Sequence, residues 1–130
     1  MSENGDRPKK ILYVQTHGVN DPGRAATPFY LASTAAAMDV EVGIYFTMYG
    51  PTLLKKGVPE TLQIPRAAGG GAYLSHFIKQ AIDLGVKLYV CQPSLDLNGM
   101  TQEDLIEGVT LIGGAAFNDM AMEADAVVAF

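Results

Sequence analysis

The first unit of the fold lies in residues 10–38, which read KILYVQTHGVNDPGRAATPFYLASTAAAM. Residues 10–15 are rich in strand-forming side chains and predict a buried first β-strand. Two glycines, a proline, Asn20 and Asp21 come next and predict a loop, with Asp21 as a candidate helix cap. Residues 25–38 are alanine-rich and lack glycine, so they predict a helix that Pro28 makes begin near Thr27.

The same alternation of strand and helix continues to the end of the chain. Further strands are predicted at residues 40–47, 87–92, 109–112 and 126–130, and helices at residues 72–84, 101–108 and 113–123. Residues 50–57 are predicted as a turn with a short helix, and residues 58–71 as irregular. This order predicts one α/β domain over residues 10–130, with a five-stranded, mainly parallel sheet covered by helices on both faces. Residues 1–9 are predicted to form a flexible tail.

Composition narrows the class of protein. The chain has 130 residues, 48% of them hydrophobic, which is enough for one packed core without disulfides or a metal. Its net charge of -5 argues against nucleic acid and anionic membranes as main partners. The single cysteine and the lack of an apolar run of about 20 residues predict a cytoplasmic protein with no membrane span. Only 18% of residues are charged, and this predicts a homo-oligomer in which another subunit covers apolar surface such as Tyr73 and Phe77.

Polar segments follow three of the predicted strands. They span residues 15–21, 47–50 and 91–94. In an open parallel sheet ligands bind beyond the carboxyl ends of the strands, so the three segments are expected to share one edge. The candidate ligand-binding residues at this edge are Thr16, Gly18, Asp21, Tyr49, Gln92 and Ser94.

Cys91 is the residue best suited to chemistry, because it is the only cysteine and stands where an apolar strand gives way to a polar loop. The thiolate is the nucleophilic form, and a helical turn opened by Pro93 and Ser94 would favour it. The alternative is a buried structural cysteine, and the residues alone support both interpretations equally. His17 is the candidate base, hydrogen-bond donor or ligand, against the alternative of a loop histidine packed on the edge or facing solvent.

Other kinds of site have weaker support. Two histidines and one cysteine without paired spacing predict no metal site. The glycines at positions 69, 70 and 71 precede a helix, but neither the phosphate-binding lysine pattern nor the dinucleotide fingerprint is present. A flexible loop is therefore predicted there, no cofactor is predicted, and a nucleotide or flavin binder ranks third among the functions.

The order of these segments resembles the DsrE/DsrF-like (YchN-like) family, which includes small sulfur-relay and sulfurtransferase subunits. Three stretches carry the resemblance. They are THGVNDP at residues 16–22 with Arg24, Ala25 and Pro28; LYVC at residues 88–91 with Ser94, Gly99 and Met100; and DLIEGV at residues 104–109 with the closing ADAVVAF. The resemblance implies a flavodoxin-like three-layer α/β sandwich that assembles into trimers or hexamers. It also implies that a sulfur-carrying cysteine stands at the position of Cys91.

Two functions follow from the residues and the resemblance together. In the first, the protein is a sulfur carrier or sulfurtransferase-like subunit. Cys91 then takes sulfane sulfur as a persulfide and passes it to a partner protein or a small thiol. In the alternative, the protein is a non-enzymatic oligomeric module that binds a small ligand or partner at the same edge, with Cys91 inert. The reactivity of the native thiol distinguishes the two.

Overall fold

Strands and helices alternate along the chain as predicted. A computed structural model describes residues 7–130. Within these residues the strands are β1 (Lys10–Gln15), β2 (Glu41–Phe46), β3 (Lys87–Cys91), β4 (Val109–Ile112) and β5 (Ala126–Ala129). The α-helices are α1 (Thr27–Ala37), α2 (Val58–Thr61), α3 (Leu74–Asp83), α4 (Gln92–Leu97) and α5 (Gly114–Glu123). Single 3₁₀ turns lie at Pro22–Arg24, Gly50–Leu54 and Gln102–Asp104.

The five strands form one sheet in the order β4-β3-β2-β1-β5, and every pair is parallel. From β1 to β4 the chain moves steadily in one direction across the sheet, and then β5 returns to the far side of β1. Connections between parallel strands are right-handed, so reversing the direction of travel moves the connecting helix to the other face. The helices α1 and α3 therefore cover one face and α5 covers the other, which confirms the predicted three-layer α/β sandwich.

The two faces of the sheet are packed differently. On the α1 side the rings of Phe29 and Phe46 lie 5.5 Å apart, and the buried alanines Ala32 and Ala35 let the helix approach the sheet closely. On the other side Phe117 of α5 stacks on Tyr45 with ring centroids 4.3 Å apart. The core is thus large under α1 and α3 and small under α5. All four residues of β5 are exposed.

The predicted helix over residues 101–108 is wrong. The backbone N–H of Thr101 donates to the Asp104 carboxylate at 2.8 Å, and the pair closes only the 3₁₀ turn at Gln102–Asp104. Leu105 then leaves the turn in an extended conformation, enters the core and pairs with Lys55. Burial of this leucine outweighs the local preference for helix, because a fully buried leucine stabilises a fold by about 1.5–3 kcal/mol.

Several smaller predictions also change. The helix α4 extends the turn predicted at Pro93 and Ser94 into a six-residue helix, and α2 forms inside the stretch predicted as irregular. Asp21 stands at the cap position of a 3₁₀ turn but makes no capping hydrogen bond; its carboxylate instead pairs with Arg24 at 3.3 Å. Phe77 packs against the core and is half-buried, so it is not an exposed side chain.

The segment before β1 is joined to the start of β5 at the amino edge of the sheet. Arg7 donates two hydrogen bonds to the carboxylate of Asp125, at 2.7 and 3.0 Å. The flexible tail predicted for residues 1–9 lies outside the described residues from position 1 to 6, and it stays a prediction. No helix in the described part of the chain is long and apolar enough to cross a membrane.

Candidate functional site

The three polar segments predicted to share one edge follow β1, β2 and β3. Because these strands are parallel and adjacent, their carboxyl ends lie side by side. Hydrogen bonds join the β2 loop to both of its neighbours. The backbone N–H of Tyr49 donates to the carbonyl of Thr16 at 3.2 Å, and the backbone N–H of Met48 donates to Ser94 Oγ at 3.0 Å. The edge therefore holds two linked groups of residues, one around Cys91 and one around His17.

The register between β2 and β3 determines what surrounds Cys91. Phe46 is paired with Val90, so Thr47 stands level with Cys91 on the neighbouring strand. Side chains alternate between the faces of a sheet, so Tyr45 and Thr47 share one face, and Cys91 packs in the same cluster as Tyr45. Ser94 approaches from the first turn of α4, and its hydroxyl lies 3.3 Å from Thr47 Oγ1. Three hydroxyl groups thus converge on the side of the thiol.

These donors act on the acidity of the thiol. Burial has the largest single effect on the pKa of Cys91 and raises it. Hydrogen bonds from the side chains of Ser94, Tyr45 and Thr47, and from the backbone N–H of Ser94, lower the pKa, and together they outweigh burial. The net pKa of Cys91 therefore lies below its ordinary value, because hydrogen bonds to the charged form of a group favour that form.

Tyr45 responds in the opposite direction, as a donor to a thiolate should. Its pKa is raised, first by burial and then by the hydrogen bond and the charge of Cys91. A phenol whose pKa is raised keeps its proton at neutral pH and stays a hydrogen-bond donor. The contact between the two side chains therefore favours a charged sulfur and a neutral phenol.

The second group of residues is held by β1 and its loop. Gln15 is fully buried at the end of β1, where its amide accepts from the backbone N–H of His17 at 3.0 Å and donates to the carbonyl of Arg24 at 2.9 Å. Gly18 packs so closely against Tyr49 that a Cβ atom there would collide with the Tyr49 carbonyl and with the Thr52 hydroxyl. The loop that presents Thr16, His17 and Gly18 is therefore closely packed.

His17 and Cys91 are on the same edge but not on neighbouring strands. β2 lies between β1 and β3, so their backbones are separated by about 10 Å, two strand spacings. The ring Nδ1 of His17 lies 3.4 Å from the Thr16 hydroxyl, and His17 is not among the groups that shift the pKa of Cys91. Its predicted role as a base stays a prediction. Gln92 is exposed in the first turn of α4, beside the thiol.

Comparison with known proteins identifies the family. A family model described as the DsrE/DsrF-like family matches residues 9–130. The chain belongs to this family. The sulfur carrier protein DsrE2 of Allochromatium vinosum is 32% identical to it, across 90% of this chain and 95% of the relative. An uncharacterized protein of Methanocaldococcus jannaschii, MJ0989, is 34% identical across 93% of this chain and 99% of its own length.

Solved structures share the fold of this DsrE/DsrF-like chain. The crystal structure of the YchN protein from E. coli superimposes with a TM-score of 0.75, covering 95% of this chain and 100% of that one, at 17% identity. BT1422 from Bacteroides thetaiotaomicron, a protein of unknown function, superimposes with a TM-score of 0.65 at 14% identity, covering 100% of this chain and 98% of that one. The TM-scores show a common flavodoxin-like fold, and at identities this low the similarity is one of fold alone.

A cavity of about 350 Å³ lies at the opposite end of the sheet from Cys91. Its floor is formed by the amino-terminal halves of β1, β2 and β3 beneath α5, and its rim carries Lys10, which lies 3.8 Å from Glu41 and 3.7 Å from Glu123. Cys91 does not line it. The thiol and this cavity therefore lie at opposite edges of the sheet. Among residues 7–130, no three His, Cys, Asp or Glu side chains lie close enough together to bind a metal ion.

Sequence reasoning found Cys91 and Ser94 but missed three other members of this group. Tyr45 reads as an ordinary strand residue, Thr47 only as part of an edge segment, and Asn98 lies outside all three edge segments. Asn98 donates to the carbonyls of Met48 and Ser94, both at 2.7 Å. Two hydroxyl residues at alternate positions next to a strand-end cysteine are the signal that would have found Tyr45 and Thr47, once the strand register was known.

Proposed function

We propose that the protein is a sulfur carrier in which Cys91 accepts sulfane sulfur as a persulfide and passes it to a partner thiol. The observation that carries the proposal is the set of three hydroxyls and one backbone N–H that lowers the pKa of Cys91. An inert cysteine in apolar surroundings has a raised pKa, whereas a reactive one has a lowered pKa and partial exposure. The kinship with a protein named as a sulfur carrier supports the same function.

The loading step is a nucleophilic displacement at sulfur. The Cys91 thiolate attacks the outer sulfur of a donor persulfide, forming a new S–S bond while the donor S–S bond breaks. The sulfane sulfur moves with its proton to Cys91, and the bonding pair leaves with the donor as its thiolate. Each side of the step carries one negative charge. Because the donors around Cys91 lower its pKa, a larger share of the sulfur is present as the attacking thiolate at a given pH.

The unloading step uses the same donors in reverse. An acceptor thiolate attacks the outer sulfur of the Cys91 persulfide, and Cys91 leaves as a thiolate. A thiol of lower pKa leaves faster, so the donors that prepare Cys91 for attack also speed its departure. The chain has no second cysteine that could resolve the persulfide as an internal disulfide. The acceptor in this proposal is therefore a separate molecule.

A protein acceptor fits this edge better than a small thiol alone. Four large apolar side chains are exposed on the loops after β1 and β2 and at the end of α4: Val19, Met48, Tyr49 and Leu97. Hydrogen bonds tie these loops together, from Val19 to Thr52, from Tyr49 to Thr16 and from Asn98 to Met48. Aromatic residues and methionine are enriched where proteins meet. In this proposal Thr16, Asp21, Tyr49 and Gln92 form the surrounding contact surface, and His17 is a base or donor. The buried Gly18 contributes by letting its loop pack closely on Tyr49.

We also propose that the carrier works as a homo-oligomer, a trimer or a hexamer. A parallel sheet is ordinarily covered on both faces, yet every residue of β5 is exposed, and Val127 and Val128 project from opposite faces of this edge strand. An exposed apolar edge strand is a site of association. Light scattering at micromolar concentration should give three or six times the chain mass of 13.8 kDa. A monomer mass would contradict the proposal.

The test of function follows the sulfur atom. Reduced protein is incubated with inorganic polysulfide, and the intact mass should rise by one sulfur atom and return to its first value with reductant. Cys91→Ser should fold and assemble normally and show no gain, because Cys91 is the only thiol in the chain. The matched control is the same protein unfolded in urea, in which the donors no longer surround the sulfur.

The folded thiol should load faster than the unfolded thiol at neutral pH. Equal rates would contradict an activated Cys91, and a folded thiol that resists both polysulfide and small alkylating agents would favour the inert oligomeric module. A Cys91→Ser protein that unfolds would show that the thiol serves packing. The cytoplasmic location stays a prediction, and it suits a carrier that needs its single thiol reduced.

A further inference from the structure

Met48, beside the thiol, has an unusual backbone. Its φ is 57°, and Asp39 is the one other non-glycine residue with positive φ among residues 7–130. Residues other than glycine, asparagine and aspartate rarely adopt this left-handed backbone conformation. Holding another residue in it costs on the order of 1–3 kcal/mol. Such a residue persists only when its surroundings hold it in place. The contacts around Met48 show what does so.

Two side chains of the α4 segment hold the backbone of Met48 from both sides. The backbone N–H of Met48 donates to Ser94 Oγ at 3.0 Å, and its carbonyl accepts from Asn98 Nδ2 at 2.7 Å. Asn98 Nδ2 also donates to the carbonyl of Ser94 at 2.7 Å. The orientation of the amide follows from chemistry, since only an NH₂ group can donate to two carbonyl oxygens. Asn98 thus ties the β2 loop to α4 at the point where Ser94 faces the sulfur.

This arrangement determines where the hydroxyl proton of Ser94 can point. A serine hydroxyl has one proton to donate and two lone pairs that accept. The N–H of Met48 occupies one lone pair, and Thr47 Oγ1 lies 3.3 Å from Ser94 Oγ, where either hydroxyl can be the donor. The Ser94 proton therefore has two acceptors to choose from, the Thr47 oxygen and the Cys91 sulfur, and a hydrogen bond to a charged acceptor is about twice as strong as one between neutral groups. The proton therefore favours a thiolate.

We propose that Asn98 is a positioning residue, which holds Met48 in its left-handed conformation so that the Ser94 hydroxyl donates to Cys91. The proposal rests on the proposed function, since it concerns Cys91 reacting as a thiolate. Asn98 does not touch the sulfur in this scheme. It acts through Met48 and Ser94. The strained backbone of Met48 is the energetic cost of keeping the Ser94 hydroxyl directed at the Cys91 sulfur.

The first test removes the amide. Asn98→Ala should raise the pKa of Cys91, measured from the pH dependence of its reaction with a small neutral disulfide. The rate near neutral pH should fall by roughly two- to fourfold, and above both pKa values it should equal or exceed that of the unsubstituted protein. Asn118→Ala is the matched control: Asn118 is exposed on α5, and its substitution should leave the profile unchanged. A purely structural loss would instead slow the reaction at every pH.

The second test changes the Met48 backbone and leaves Asn98 in place. Asparagine tolerates the left-handed conformation, whereas a β-branched valine does not, so Met48→Asn should keep the low pKa of Cys91 and Met48→Val should raise it. Asp39→Val is the control for backbone strain, because Asp39 has a φ of 65° in the turn after α1 and makes no contact with this group. It should destabilise the fold without moving the pKa of Cys91.

The outcomes separate this inference from the proposed function. A Cys91 with an ordinary pKa in the unsubstituted protein, together with no persulfide, would overturn the proposed function. A Cys91 with a lowered pKa that neither Asn98→Ala nor Met48→Val raises would overturn the positioning role alone. The Met48 pair decides the question even where Asn98→Ala fails to fold. Equal pKa values in Met48→Asn and Met48→Val would count against the inference.

Discussion

Removal of the Ser94 hydroxyl is the most direct test of how Cys91 is activated. Ser94→Ala deletes the side-chain hydrogen bond that lowers the pKa of Cys91 most, while it keeps the backbone N–H of residue 94. A hydrogen bond to a charged group is worth about 1.5–3 kcal/mol, and one pKa unit corresponds to about 1.4 kcal/mol. Since Tyr45 and Thr47 remain as donors, we expect the loss to lie near the lower end of this energy range. The pKa of Cys91 should then rise by about one unit in Ser94→Ala.

The expected change in rate depends on pH in a way that identifies its cause. One unit of pKa removes about tenfold of the thiolate at low pH, but the more basic thiolate is about threefold more nucleophilic. Reaction with a small neutral disulfide should therefore be about three- to fourfold slower below both pKa values. Above them it should be about threefold faster. The two pH–rate profiles should cross.

Ser33→Ala is the matched control for this substitution. Both serines are buried in helices, with exposed fractions of 5% for Ser33 and 6% for Ser94. Within the described residues Ser33 Oγ has no hydrogen-bond partner, so its removal should leave the profile unchanged and stabilise the fold by about 1 kcal/mol in urea unfolding. Superimposable profiles for Ser94→Ala and the unsubstituted protein would refute the activation argument, and so would slowing by the same factor at every pH.

Three further substitutions test the rest of the edge. Tyr45→Phe should raise the pKa of Cys91, because it removes a hydrogen-bond donor but keeps the ring that stacks on Phe117. Tyr13→Phe, on the opposite face of the sheet, is the control and should leave that pKa unchanged, and thiol titration measures both. His17→Ala should slow alkylation near neutral pH by removing a base or cation from the edge, with the exposed His76→Ala as control, and equal rates would leave His17 without a role in the reaction. Gly18→Ala should lower the free energy of unfolding by several kcal/mol, roughly the cost of overpacking, because its methyl group collides with the Tyr49 carbonyl, and an unchanged urea midpoint would contradict that packing.

The described structure also bears on the choice between carrier and inert module. A cysteine kept only for packing needs apolar neighbours, and hydroxyl donors beside it would raise the cost of burial unless they find acceptors. Around Cys91 the Ser94 and Thr47 hydroxyls can also bond to each other, but an ionised sulfur is the stronger acceptor. The pH–rate profiles of Ser94→Ala and Asn98→Ala measure how strongly these donors prefer an ionised Cys91.

The sequence by itself determined the layers of the fold. Strand and helix alternate in a local pattern of apolar spacing and turn residues, which a short window of the chain is enough to show. All five strands and the three long helices α1, α3 and α5 therefore lie within two residues of their predicted bounds. The same local reading found Cys91, because a lone thiol at a strand end is visible without neighbours. It failed at residues 101–108, where burial of Leu105 overrides the local helix signal.

Only the tertiary structure decided what surrounds the thiol. Tyr45 and Thr47 are 46 and 44 positions away from Cys91 in sequence and meet it because β2 pairs with β3 in one register; a slip of one residue would turn both to the other face. Asn98 reaches Met48 across 50 positions because α4 begins directly after β3. Residue types reveal which side chains can donate to a thiolate, but strand pairing brings the donors to it, since register is a long-range property of the packed sheet.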